Sequence, residues 1–323
     1  MSGGGVIAAA ALLAAVPALA APAPPPTLRA QLDSFQTLDT RVQSVGWRLI
    51  RGNAPYCRAV APRIGLTVLD AAGFGDPAAV RAAFGLPGDI AVEAVAADSP
   101  AARAGLRPGQ ALRAVAGQAV AALPTVGPSD YARLVGLHDR IDAALAGGGK
   151  VTVVNDAGAD IAMTGEPACV TRFELLSAGS EAAADGKRVV IGRKLVEALP
   201  PDPLRGDELL AAALAHELAH NLLGHRVRLA ASGRSWSKVK ATEREADRLS
   251  VWLLANAGYD PSSSVRFFER WGPKFDLGLF ATPDHDGWKA RVRTVSAEIE
   301  TMRAALAKRG GSADWSHDFS PPR

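Results

Sequence analysis

The sequence predicts an α+β chain: a mainly helical domain with a small sheet, interrupted by a separate β-rich domain. Three observations predict it. His216-Glu217-Leu218-Ala219-His220 closes a run of strong helix formers, Leu209 to Ala215, and a second helical pattern runs from Thr242 through Leu253. Between about residues 62 and 166 short strand patterns alternate with turns. The two cysteines of the 323-residue chain, Cys57 and Cys169, stand on either side of that block. With 48% hydrophobic residues the chain is long enough to bury two cores. Its net charge of +3, with no basic stripe interleaved with aromatics, points to no nucleic-acid partner.

From the amino terminus, the apolar run Val6 to Ala20 is too short for a comfortable membrane span and ends in the small residues Ala18-Leu19-Ala20. Residues 1–20 are therefore expected to be a secretory signal peptide, with an uncleaved membrane anchor as the other reading of the same run. Removal leaves no membrane span and places the chain in the periplasm or outside the cell. Residues 21–26 form a proline-rich spacer. Leu28, Leu32, Phe35, Leu38, Val42, Val45 and Leu49 recur at steps of three and four, which predicts one amphipathic helix ending near Gly52-Asn53-Ala54-Pro55. Residues 27–61 thus open the helical domain.

In the β-rich block the predicted strands are Ile90–Val95, Ala111–Val115, Lys150–Val154 and Ile161–Met163, with a short helix over Ser99–Leu106 and a longer one over Asp130–Leu145. Domain termini usually lie close together, so Cys57 and Cys169 are expected to meet as a disulfide at the neck of the insertion, the favoured state in an oxidising compartment. Residues 167–308 return to the helical domain. Ala184–Gly192 reads as a turn and a strand, Arg193–Leu199 as a short helix, and Asp207 as the N-cap of the helix that carries His216. Arg226–Lys240 reads as a basic solvated loop, Val292–Ala307 as a terminal helix, and residues 309–323 as a flexible tail.

Residues i and i+4 share a helix face, so His216 and His220 can present both imidazoles to a single Zn²⁺. Glu217 lies at the rim of that face, placed for a general base. Glu243 and Asp247 are again i and i+4, one carboxylate to complete a three-ligand site and one to hold a ligand histidine by its second nitrogen. On a continuing helix His225 is rotated about 140° from His220, which makes it a helix-end or packing histidine.

HExxH followed by ExxAD, here His216 to His220 and Glu243 to Asp247, resembles the gluzincin metallopeptidases of the BepA-like and HtpX-like kind, related to the CaaX prenyl protease. The resemblance implies a zincin-type peptidase domain holding one Zn²⁺ through His216, His220 and Glu243. It makes Glu217 the base for a zinc-activated water and Asp247 the partner of His216. It makes Val189-Val190-Ile191 the sheet edge against which extended substrate pairs. His285 and Arg291, six residues apart as in the family although Asp286 replaces its proline, would stabilise the oxyanion. Ser99-Pro100-Ala101-Ala102-Arg103-Ala104-Gly105-Leu106 and the following Pro108-Gly109-Gln110 resemble PDZ domains of bacterial envelope proteases. That likeness implies a PDZ-like domain over residues 62–166, in which Arg63-Ile64-Gly65-Leu66 holds a peptide C-terminal carboxylate; a PDZ fold serving only as a spacer is the alternative. Together they imply a zinc endopeptidase cleaving unfolded or misassembled envelope proteins. The competing expectation is a zinc-stabilised, chaperone-like binding protein that seldom cuts.

Overall fold

The computed structural model describes residues 26–124, 126–202, 204–275, 286–309 and 313–320. The expected signal peptide, all but Pro26 of the spacer, and His285 lie outside the described residues. The chain is mixed α/β. Helix α1 (Leu28–Gly52) starts where the Thr27 hydroxyl accepts the Ala30 N–H, and runs to Asn53 as its periodicity predicts. It packs against α2, β3 and β8 of the insertion and against β9, α5, α6 and α8 of the helical domain, so it touches both. A Cβ on Gly46 would stand 2.3 Å from the Phe173 ring, so this approach of α1 to its neighbour requires glycine.

The insertion opens with β1 (Val60–Arg63) and closes with β8 (Glu166–Cys169), paired antiparallel with Val60 opposite Cys169. This two-stranded neck brings Cys57 and Cys169 together, and they form the expected disulfide with Cα atoms 5.6 Å apart. Closing 112 residues stabilises the folded chain by about 4–5 kcal/mol in the chain-entropy picture. Within the insertion follow β2 (Leu66–Asp70), α2 (Pro77–Phe84), β3 (Ile90–Val95), α3 (Pro100–Arg103), β4 (Leu112–Val115), β5 (Gln118–Ala119), α4 (Ala132–Gly148), β6 (Lys150–Asn155) and β7 (Asp160–Thr164). Strands β2 and β3 pair as a ribbon; β5-β4-β6-β7 form a second sheet, joined to the first by an Ala91–Ala111 bridge. Leu66, Val68, Val92, Leu137, Ile141, Leu145 and Val153 fill the core between them.

The second half of the chain adds β9 (Arg172–Leu176), β10 (Ala182–Ala184), β11 (Arg188–Gly192), α5 (Arg193–Ala198), α6 (Glu208–Leu222), α7 (His225–Ser232), α8 (Trp236–Asn256), α9 (Ser263–Phe275), α10 (Trp288–Arg309) and α11 (Trp315–Asp318). Helix α6 is central: α1, α8, α9, β10 and β11 all pack on it, which is why, between Glu208 at its start and Asn221 near its end, it is apolar except where His216, Glu217 and His220 emerge. Asp207 takes the N-cap position but caps nothing with its side chain. Its carboxylate binds the Arg41 guanidinium at 2.7 Å instead.

Three expectations are corrected here. The loop expected over Arg226–Lys240 is largely helical, because Gly224 turns the chain at φ +64° into α7 and Ser235 caps α8 by accepting the Lys238 N–H. Val189, Val190 and Ile191 do not form a sheet edge: β11 is the middle strand, parallel to β9 on one side and antiparallel to β10 on the other. The described part of the expected tail, residues 313–320, packs down. Trp315 and Phe319, i and i+4, are both 8% exposed, and the Trp315 indole N–H donates to Asn53 Oδ1.

Candidate active site

The helices α6 and α8 cross so that three side chains converge. His216 Nε2 lies 3.2 Å from His220 Nε2 and 3.2 Å from Glu243 Oε2, and His220 Nε2 lies 3.4 Å from Glu243 Oε1. No other trio of potential ligands this close occurs among the described residues. A tetrahedral zinc with donors at about 2.0–2.1 Å holds those donors about 3.3–3.4 Å apart. The two imidazole nitrogens stand at about that spacing, and each lies as close to one oxygen of the Glu243 carboxylate, a donor set whose chemistry suits Zn²⁺.

The far side of each imidazole is held. His216 Nδ1 stands 2.9 Å from Asp247 Oδ1, the partner expected for it. Both Asp247 oxygens in turn receive Arg291, Nε at 2.8 Å and Nη2 at 2.5 Å. Burial opposes a charge on His216, but Asp247 and Glu243 outweigh it and push its pKa up to about 10. Burial would likewise raise Asp247, yet Arg291 and His216 hold it below the usual carboxylate range. The pocket of carboxylates thus favours a positive charge where the two rings meet.

His220 is held by His225, which is the buried helix-end histidine expected, at the start of α7, and also a partner of the candidate ligand. Its Nδ1 lies 2.9 Å from Nδ1 of His225, whose Nε2 lies 3.0 Å from Glu245 Oε2; Arg228 forks onto both Glu245 oxygens. His225 is 1% exposed. The helix on which the rotation was reckoned ends at Leu222, and the left-handed Gly224 swings His225 back over His220. The helix-breaking glycine was the signal in the sequence. Burial and the neighbouring His220 hold the His225 pKa down against the pull of Glu245, whose own pKa is held at about 2 by His225 and Arg228 despite burial.

Glu217 lines a cavity of about 530 Å³ together with His216, His220 and Glu243; Ala182, Ala183 and Ala184 of β10 form one wall, and Arg234 and Val239 face them. Arg291 does not line this cavity, being bound to Asp247, so the guanidinium is not where an oxyanion would form. Asp286, next to His285, is bound by the Arg244 guanidinium at 2.5 and 3.0 Å, beside Glu243 in the chain.

A larger cavity, about 880 Å³, opens between β2 and α4 and extends to α1 and β9. Arg63, Ile64, Gly65 and Leu66 line one end of it. Gly65 has φ +65°, and a Cβ there would also come within 2.4 Å of Ser99 Cβ, so the turn into β2 needs glycine. The model of the PDZ domain family matches residues 91–139, from within β3 to the middle of α4. The insertion therefore contains a PDZ domain, and the Arg63–Leu66 loop precedes the matched stretch. No curated protein matches the chain.

Proposed function

We propose that the chain is a zinc-dependent endopeptidase of the gluzincin kind, acting on unfolded or misassembled polypeptides of the cell envelope. The observation that carries this reading is the convergence of His216 Nε2, His220 Nε2 and the Glu243 carboxylate, with a partner behind each imidazole. Bound there, Zn²⁺ would supply Lewis acidity to a scissile carbonyl and to water. Glu217, on the cavity wall beside the ligands, takes the proton of the attacking water and delivers it to the leaving amine. Strand β10 pairs only with β11 among the described residues, so its second edge is the one available to extended substrate, replacing the β11 edge expected from sequence. The oxyanion role falls to His285, whose neighbour Asp286 is tied to the helix of Glu243. Arg291 acts through Asp247 as a positioning residue.

The PDZ domain supports a second contact with polypeptide, a C-terminal carboxylate received at Arg63–Leu66. The disulfide, and the absence among the described residues of any helix long and apolar enough to cross a membrane, are consistent with an exported protein. The test is metal content and casein cleavage, wild type against Glu217→Gln. Zinc retained with cleavage lost supports the peptidase. Clients bound but cut by neither protein would favour the chaperone-like binding protein instead.

A further inference from the structure

The groove of the PDZ domain is not walled by that domain alone. Leu66 and Val68 of β2 face the core under α4, while the intervening Thr67 stays out of that core; its hydroxyl bonds the Ala94 backbone, and it lines the cavity together with Asp39 of α1. Glu93, which lies opposite the register shift between Thr67 and Val68, lines the same side. Asp39 and Glu93 are 5% and 9% exposed, and both line the 880 Å³ cavity. Gln43 donates to Asp39 Oδ1 at 3.0 Å and Gln36 reaches Glu93 Oε2 at 3.4 Å. Glu93 Oε1 has no hydrogen-bond partner, and neither has the indole N–H of Trp47, 2% exposed on the same wall. Buried polar atoms left without partners in a cavity are costly unless something that enters it satisfies them.

Of the other charged groups around the cavity, Glu174 on β9 is bound by Arg188 at 2.9 Å, and Arg63 and Arg172 both hold Asp142 of α4, with His138 beside them. The guanidinium groups near the Arg63–Leu66 turn are thus already taken by Asp142, and Asp70 is taken by Arg133, whereas Asp39 and Glu93 on the α1 side have no cationic partner. A peptide paired antiparallel to the edge of β2 that no strand among the described residues covers, with its carboxylate at that turn, alternates its side chains between the two faces. Its last residue and the third from the end go under α4 beside Leu66 and Val68. Its penultimate residue goes to the face of Thr67.

We propose that this groove selects polypeptide C-termini whose penultimate residue is lysine or arginine, the basic side chain reaching Glu93 and Asp39 and a peptide carbonyl taking the Trp47 N–H. The proposal rests on the reading of the groove as a C-terminal peptide site, and is independent of whether the zinc site cleaves. It gives the two domains a joint substrate: α1 supplies Asp39 and Trp47, and β3 supplies Glu93.

The test is fluorescence-anisotropy binding of hexapeptides to the full chain carrying Glu217→Gln, which keeps peptides intact. Three peptides differ only at the penultimate position, as lysine, norleucine or glutamate, and a fourth is the lysine peptide amidated at its C-terminus. The lysine peptide should bind about 10-fold more tightly than the norleucine peptide, as a buried charge-assisted contact implies. Glu93→Gln and Asp39→Asn, each checked for folding by its melting temperature, should reduce that preference to about 2- to 3-fold. Burial and the neighbouring Asp39 raise the Glu93 pKa to about 8, so the preference should also grow as pH rises from about 6 to 8.5. Equal binding of lysine and norleucine peptides, or a preference that survives both substitutions, would overturn the cationic subsite. Binding of the amidated peptide as tightly as the free acid, or of none of the four, would overturn the C-terminal site itself, while the casein assay would still stand on its own.

Discussion

His225 donates through Nε2 to Glu245 and turns Nδ1 towards Nδ1 of His220, 2.9 Å away, so the tautomer of one imidazole of the candidate metal trio is set from a buried carboxylate two contacts off. Glu245, ionised under Arg228, fixes the proton of His225 on Nε2. His225 Nδ1 is then an acceptor, and the His220 proton must lie on Nδ1. The lone pair of His220 Nε2 is left pointing at His216 and Glu243.

His225→Ala should therefore lower zinc affinity by about 10- to 100-fold, read as metal lost to a competing chelator. His225→Gln, which can still accept from His220 Nδ1, should recover part of the loss. Unchanged chelator competition in the alanine variant would show that His220 needs no such support.

Arg291 is expected to matter for stability and metal retention before chemistry. Arg291→Ala leaves the buried Asp247 without its fork, a loss of about 3–5 kcal/mol in denaturant unfolding. Lysine at that position cannot restore the two parallel bonds. A variant with full zinc content and unaltered unfolding, but a depressed kcat, would instead return Arg291 to the oxyanion.

Strand β10 offers a sharper test of the substrate edge. Gly192 N–H donates to Glu181 and Asp185 N–H to Arg188, so in the alternating antiparallel ladder Ala183 bonds to β11 while Ala182 and Ala184 turn their amides outward. Ala184→Pro removes one outward N–H without touching the ladder, and proline is tolerated on an edge. KM for an extended peptide should rise about 5-fold or more with zinc content unchanged, the net worth of a hydrogen bond being about 1 kcal/mol. An unaltered KM would mean that substrate does not pair at Ala184.

The Asp39–Glu93 pair makes stability fall with rising pH. Burial, with Glu174 adding and Gln43 opposing, pushes Asp39 up to about 6; burial and Asp39 push Glu93 up to about 8. Both folded pKa values lie above the unfolded ones, so the folded chain holds more protons between them. The associated stability is full below the unfolded pKa near 4.5 and is lost as pH rises through about 8. Glu93→Gln should melt roughly 3–6 °C above wild type at pH 8.5, the effect of 1–2 kcal/mol in a domain of this size. That difference should shrink towards zero below pH 4.5. A constant difference at all pH values would show that Glu93 is not charged by titration in this range.

The candidate ligand trio, the Cys57–Cys169 pair, α1 and four strands of the insertion were legible in the sequence, whereas β1, β2, β5 and β8 were not. Helical i, i+4 pairs set faces, alternation sets strands, and two cysteines flanking a domain meet at its neck. What the tertiary structure alone decided depends on turns and on strand order, which spacing does not encode. One left-handed glycine, Gly224, put His225 over His220 instead of on the far side of a helix. The order β10-β11-β9 buried Val189–Ile191 in mid-sheet and gave the edge to three alanines. Arg291, six residues past a histidine, reads from sequence as a cation for the oxyanion, but with α10 packed on α8 its Nε and Nη2 are committed to Asp247. Residues 313–320 read as a tail because polar residues surround Trp315 and Phe319. They became structure because Asn53 and Asn256, 203 residues apart in the chain, lie together where both helices end and supply the partners.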